Sequence, residues 1–267
     1  MEERIKAIVF DLDGTLYQDF SFYKPYIRFM VEGTGKETWE QKLVEYTEEV
    51  LCGKRLKMNA FYRCAAIRTD NPEQYFDLAE RAILPDVQAE ESTDSGDAIY
   101  LGDAWAVLTF IGYSLGLFGA ERCQQTYLRT RRVMEESGLQ GSKRLRDAIQ
   151  KANAFCETIL LSNSNVETAQ ELLKQLGYAG LFAMERFSVE KPRGLIDAVE
   201  SCLPGMLEHP QAILAVGDHA YNDLDPLSRL GCRTLWLNPY SGIQEPVYDV
   251  CLKTTEQLAD YLDDLFD

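Results

Sequence analysis

Four short apolar runs do most to limit what this chain can fold into: IKAIVF (5–10), TILL (158–161), AILAV (212–216) and CRTLWL (232–237). Each has the length of a strand, and none shows the strict apolar/polar alternation of a strand with one wet face. Strands of this texture are buried on both faces, as in a parallel sheet covered by helices. Helical patterns separate the later runs. Residues 166–176 carry Val166, Ala169, Leu172, Leu173 and Leu176 on one face and stop at Gly177, a residue suited to a left-handed C-terminal cap. Ser164, three before Glu167, reads as a capping box at the start of this helix. The pattern predicts an α/β fold: a Rossmann-like three-layer core with a parallel sheet.

Between the first run and the others the texture is helical throughout. Trp39, Leu43, Tyr46 and Val50 fall on one helical face, and Leu56, Ala60, Phe61, Cys64 and Ile67 on another. Asn71-Pro72 caps and begins a further helix reaching about Leu84. EESTDSGD (90–97) reads as an exposed acidic loop whose charge serves solvation. GDAWAVLTFIGYSLGLFG (102–119) is apolar, but its glycines and Asp103 favour a buried helix or helical hairpin over a membrane span. Tyr100, Trp105 and Tyr113 belong with this core rather than with a substrate. The expected organisation is a core of residues 1–16 and 145–267 interrupted by an all-helical domain at 17–144.

Composition narrows the function. With 46% hydrophobic residues in 267, the chain can bury a large core. Its 27 basic against 43 acidic residues give a net charge of -16, so its long-range field repels nucleic acid and anionic membranes. An anionic substrate then needs a local positive site. The seven cysteines occur singly, without a CxxC pair, as expected of reduced thiols in a cytoplasmic protein. His209 and His219 are the only imidazoles, too few for a histidine-built zinc site. The start MEERIKAIVFDLD has no basic region leading into a long apolar core, and no stretch approaches a membrane span.

Ligands of open α/β sheets sit beyond the carboxyl ends of the strands. There the chain places DLDGT after IKAIVF, SNS after TILL, Lys191-Pro192, and GDHAYND after AILAV. In order and spacing, DLDGT, Ser162, Lys191 and Gly217-Asp218 with Asp223 resemble the four motifs of the haloacid dehalogenase-like (HAD) hydrolase superfamily. The resemblance covers residues 1–16 and about 145–240. A helical insertion just after the first motif is similar to the family's phosphatases with a type I cap.

The chemistry follows from residue types. A carboxylate such as Asp11 can attack phosphorus and form an aspartyl-phosphate that water later hydrolyses, dividing one hard step into two. Asp13 can protonate the leaving alkoxide and then deprotonate the attacking water. The family's true dehalogenases lack this second aspartate, since a halide needs no proton, so Asp13 favours phosphoryl transfer. Gly14 lets the backbone turn away from the strand beside the phosphate. Ser162 and the N–H of Asn163 can bind phosphate oxygens near a helix start, and Lys191 can hold phosphate and Asp11 together.

Two carboxylates beside a dianion call for a hard cation, and Mg²⁺ fits. The resemblance implies Asp11, the Asp13 carbonyl and Asp218 as its ligands, with Asp223 a further ligand or a partner behind them. His219 reads as a lining or surface residue, because neutral imidazole is a poor Mg²⁺ ligand. Asn222 reads as part of a turn. Asp225-Pro226 opens a helix. KPRGL departs from relatives that often continue with a second proline, and Gly194 weakens the start of the next helix. The long interval before Ser162 implies an enlarged cap.

The expected function is an Mg²⁺-dependent phosphatase acting on a small phosphorylated metabolite as a monomer or homodimer, without nucleic-acid or membrane partners. The alternatives are a phosphomutase of the β-phosphoglucomutase type and a non-catalytic binding protein on the same fold.

Overall fold

A computed structural model describes residues 4–85, 97–240 and 248–266. The expected loop at 90–97 lies outside these residues except for Asp97. The chain divides into two compact units. One runs through Asp19 and resumes from Gly138 to Pro239 with the C-terminal segment; the other holds Phe20–Ser137 with Tyr240.

The first unit opens with β1 (Ala7–Phe10), every residue of which is buried. The chain then enters the second unit, built from α1 (Tyr23–Val31), α2 (Glu40–Leu51), β2 (Phe61–Arg63), α3 (Pro72–Glu80), β3 (Ala98–Tyr100), α4 (Ala104–Ser114) and α5 (Ala120–Glu136). Its interior is aromatic: Tyr46 stacks on Phe76 at 4.1 Å and Phe22 on Trp105 at 3.9 Å, with Tyr26, Tyr62, Tyr75 and Phe110 buried alongside. Helix α4 is a single buried helix, its first turn capped by Asp103, which accepts from the Ala106 N–H at 2.6 Å. Tyr100, Trp105 and Tyr113 are each half-buried.

To this helical unit the structure adds a small antiparallel ribbon, β2 against β3, that pairs Phe61 with Tyr100. The helical face expected at Leu56–Ile67 is absent. Asn59 takes a left-handed φ of 56°, which ends any right-handed turn, and the aromatic pair Phe61-Tyr62 suits a pleated surface. The ribbon also shortens α3. Asn71 caps it by accepting from the Glu73 N–H at 2.9 Å, but the helix ends at Glu80 rather than near Leu84. The Ala82 carbonyl and Leu84 N–H instead bond to Arg63 and Phe61 of β2.

Back in the first unit come α6 (Lys143–Ala152), β4 (Glu157–Leu161), α7 (Val166–Leu176), β5 (Met184–Arg186), α8 (Leu195–Cys202), β6 (Ile213–Gly217), α9 (Asp225–Arg229), β7 (Arg233–Leu237), β8 (Val250–Leu252) and α10 (Thr255–Leu265). Helix α6 belongs wholly to this unit, so the return falls at Gly138 rather than 145. The six strands pair in parallel in the order β5-β4-β1-β6-β7-β8. This is the expected Rossmann-like sheet. Strand β1 lies between β4 and β6, where the strand order reverses and a crevice opens beyond the carboxyl ends.

The four apolar runs became β1, β4, β6 and β7, whereas β5 and β8 carry no comparable apolar signal. Helix α7 ends at Gly177 in the left-handed conformation, φ 76°. Its N-cap is Asn165, which accepts from the Thr168 N–H at 2.9 Å. The expected Ser164/Glu167 box does not form, because the Ser164 hydroxyl is bonded elsewhere.

Candidate active site

The chain leaves β1 into a single helical turn, Leu16 N–H donating to the Leu12 carbonyl at 3.0 Å. Gly14 makes this possible with a φ of 80°. A Cβ there would stand 2.0 Å from Asp218 Oδ2, so the glycine also allows the loops after β1 and β6 to approach. Gly14→Ala is expected to move Asp218 and cost about 1 kcal/mol or more from backbone strain alone. A thermal melt in the presence and absence of Mg²⁺ measures both effects.

Asp11, Asp218 and Asp223 are all buried, with carboxylate oxygens within 4.8 Å of one another. Lys191 is buried, and its ammonium donates to Asp11 Oδ1 at 2.6 Å, Asp223 Oδ1 at 2.6 Å and the Leu161 carbonyl at 2.9 Å. A cavity of about 10 Å³, the room of about one water, remains among Phe10, Asp11, Lys191, Val216 and Asp223. Burial pushes the Asp11 carboxyl up to about 7, with Asp223 adding and Lys191 opposing. Burial also works against the lysine's charge, but Asp11 and Asp223 outweigh it and hold its pKa above the ordinary value.

Neighbouring loops fix these groups. Asp223 spends its second oxygen on the His219 N–H at 3.0 Å; with both oxygens engaged, it positions Lys191 from behind. His219 is buried, and its Nδ1 accepts from the Asn222 N–H at 3.2 Å in the turn Ala220–Leu224. The Asp218 carbonyl accepts from Trp236 Nε1 at 2.8 Å.

Asn163 grips the Lys191 backbone twice, accepting its N–H at 2.7 Å and donating to its carbonyl at 3.1 Å. Ser162 is buried and its hydroxyl accepts from the Ser164 N–H at 3.1 Å. The loop carrying Lys191 is tightly coiled, with Ser188 and Glu190 at φ 53° and 61°. A Cβ on Gly194 would stand 1.9 Å from the Val189 carbonyl oxygen, which accounts for glycine in KPRGL.

Asp13 is half-buried, and its carboxylate accepts from Tyr17 Oη at 2.6 Å and Ser164 Oγ at 2.7 Å. Asp11, Asp13, Gly14, Ser162, Asn163, Lys191, Asp218 and Asp223 all lie in the first unit, in loops following β1, β4, β5 and β6. The sequence did not mark Tyr17, Ser164 as a partner of Asp13, or the side-chain grip of Asn163. Tyr17 carries one signal in retrospect, a polar aromatic four residues after Asp13 on a turn.

The oxygen-only set at Asp11 and Asp218 suits a hard divalent cation. Three carboxylates and one ammonium are buried together there, and the missing Gly14 side chain leaves room beside Asp218. The parallel α/β core thus gathers a buried acidic cluster beyond the carboxyl ends of its strands.

The model of the haloacid dehalogenase-like hydrolase family matches residues 5–231, and the chain belongs to that family. Among solved structures, the Bacillus subtilis protein YfnB, described as a HAD-hydrolase and bound to magnesium, is similar at 15% identity. Its TM-score is 0.55, with 98% of this chain and 100% of that one covered. A dehalogenase solved with an intermediate complex is similar at 15% identity and TM-score 0.51, covering 98% of each chain. A family hydrolase from Xanthomonas campestris reaches 15% identity and TM-score 0.49, covering 98% of this chain and 96% of that one. At such identities the likeness concerns the fold. No curated protein matches the chain by sequence. Among the described residues, no helix is long and apolar enough to cross a membrane.

Proposed function

We propose that the protein is an Mg²⁺-dependent phosphatase that hydrolyses a small phosphorylated metabolite through a phosphoryl group carried on Asp11. The observation that carries this reading is a second carboxylate on the loop that bears Asp11: Asp13, held by two hydroxyls. An alkoxide leaving group needs a proton donor there, whereas a halide does not.

Asp11 attacks phosphorus as the ester bond breaks, and Asp13 gives its proton to the departing oxygen. Asp13 then takes a proton from the water that releases phosphate. Lys191 neutralises equatorial phosphoryl oxygens and keeps Asp11 aimed, while Ser162 and the Asn163 N–H hold the remaining oxygens. Asp11, the Asp13 carbonyl and Asp218 would hold Mg²⁺, which supplies charge neutralisation between nucleophile and substrate. The helical unit serves as the cap and selects the substrate. The protein acts in the cytoplasm as a monomer or homodimer, without nucleic acid or membrane.

The test is phosphate release from a panel of sugar, nucleoside and alkyl phosphates with and without Mg²⁺. Turnover that needs the cation is expected; no release from any ester overturns the reading. Binding has its own readout. At a concentration about 100-fold above its dissociation constant, Mg²⁺ stabilises by about 2.7 kcal/mol, so the melting temperature rises by several degrees. Asp218→Asn is expected to remove that rise, and an undiminished rise would place the cation elsewhere.

A further inference from the structure

We infer that Tyr17 and Ser164 are positioning residues for proton transfer, with the Tyr17 hydroxyl fixing one oxygen of Asp13 so that the other faces the leaving group. The inference rests on the phosphatase reading and goes beyond it by assigning roles to two side chains outside the four motifs.

Geometry carries it. The turn from Leu12 to Leu16 sets Asp13 and Tyr17 four residues apart on one face, and Tyr178 pins that turn by donating to the Leu16 carbonyl at 3.1 Å. Tyr17 is only 5% exposed, so its phenol cannot swing away without moving a packed ring. Ser164 follows β4, the strand paired with β1, and reaches Asp13 across that pairing. Each carboxylate oxygen thus receives a hydroxyl, Oδ1 at 2.6 Å and Oδ2 at 2.7 Å, the short lengths of bonds to a charged acceptor.

The two bonds differ in what turnover asks of them. When Asp13 acts as an acid, one oxygen carries the proton and the other remains an acceptor. The bond from Tyr17 to Oδ1 persists in both forms. The bond from Ser164 to Oδ2 cannot persist as drawn, because Oδ2 must give its proton to the ester oxygen while the phosphorus–oxygen bond to Asp11 forms and the ester bond breaks. One rotation about the serine Cα–Cβ bond turns its hydroxyl aside. That hydroxyl holds the resting carboxylate in place and yields Oδ2 to the substrate.

A leaving group that needs no proton should be indifferent to this arrangement. The experiment compares kcat/KM for an alkyl phosphate with that for dinitrophenyl phosphate, whose phenolate departs unprotonated. Positioned acid catalysis is worth about 10²–10⁴-fold. Tyr17→Phe, which keeps the ring, is expected to lower the alkyl-to-aryl ratio of kcat/KM by about 30-fold, and Ser164→Ala by about threefold. An unchanged ratio overturns the inference, whether activity falls equally on both esters or holds on both. If Tyr17→Phe does not fold, Ser164→Ala decides by the same criterion. A wild-type protein that turns over neither ester overturns the phosphatase reading, and this inference with it; turnover with an unchanged ratio overturns the inference alone.

Discussion

Asp11→Asn is expected to eliminate phosphate release, lowering kcat by about 10³-fold or more on every ester the wild-type protein accepts. The amide keeps the shape of the carboxylate but cannot form an acyl phosphate, so the loss is chemical. It should be uniform across leaving groups, unlike the selective loss expected from Tyr17→Phe, since every ester needs the attack on phosphorus and only some need the proton. Circular dichroism and a melting curve separate lost chemistry from lost fold. Residual turnover within about tenfold of wild type would mean that another group attacks phosphorus.

Lys191→Met is expected to cost both activity and stability, because among the described residues this lysine is the cation paired with Asp11 and Asp223 in a buried cluster. Removing one partner of a buried pair strands the other and typically costs about 3–5 kcal/mol. For a chain of this size that is a fall of about 10 °C in melting temperature, measured without Mg²⁺. The companion Lys191→Met/Asp223→Asn removes one of the two stranded carboxylates and should recover part of the loss, the sign expected of coupled neighbours. Activity should stay at least about 10²-fold down in both variants, since the charge facing the phosphoryl group is gone. A single variant that melts within about 2 °C of wild type would contradict the electrostatic account of the cluster.

The sheet was legible wherever a strand is buried on both faces. Ala7–Phe10 and Ile213–Gly217 are wholly buried, and their runs of branched and aliphatic residues announce it. Met184–Arg186 and Val250–Leu252 lie at the sheet's edges, are three residues long and leave some side chains exposed, so no apolar run marks them. The apolar residues around the ribbon at Phe61–Arg63 fall at helical spacing, which also occurs by chance in an aromatic-rich stretch. The left-handed turn at Asn59 was not visible in that spacing.

The candidate residues were legible as four stations at strand ends, because the sheet order carries them to one edge. Their supports were not. Asp223 behind Lys191, Asn163 on the Lys191 backbone and Ser164 on Asp13 are contacts across 32, 28 and 151 residues, which no local pattern encodes. Ser164 shows the cost of local reading: its spacing to Glu167 suits a capping box, yet Asn165 caps the helix and leaves the hydroxyl for Asp13.

In the proposed reaction Asp11 carries the phosphoryl group during turnover. The measurement is acid quench of the enzyme during the first turnover of a radiolabelled phosphate ester with Mg²⁺, followed by peptide mapping. The label is expected on the peptide containing Asp11, lost on exposure to hydroxylamine as an acyl phosphate should be, and absent from Asp11→Asn. Steady phosphate release with no label on that peptide, or with the label on another residue, would contradict the account.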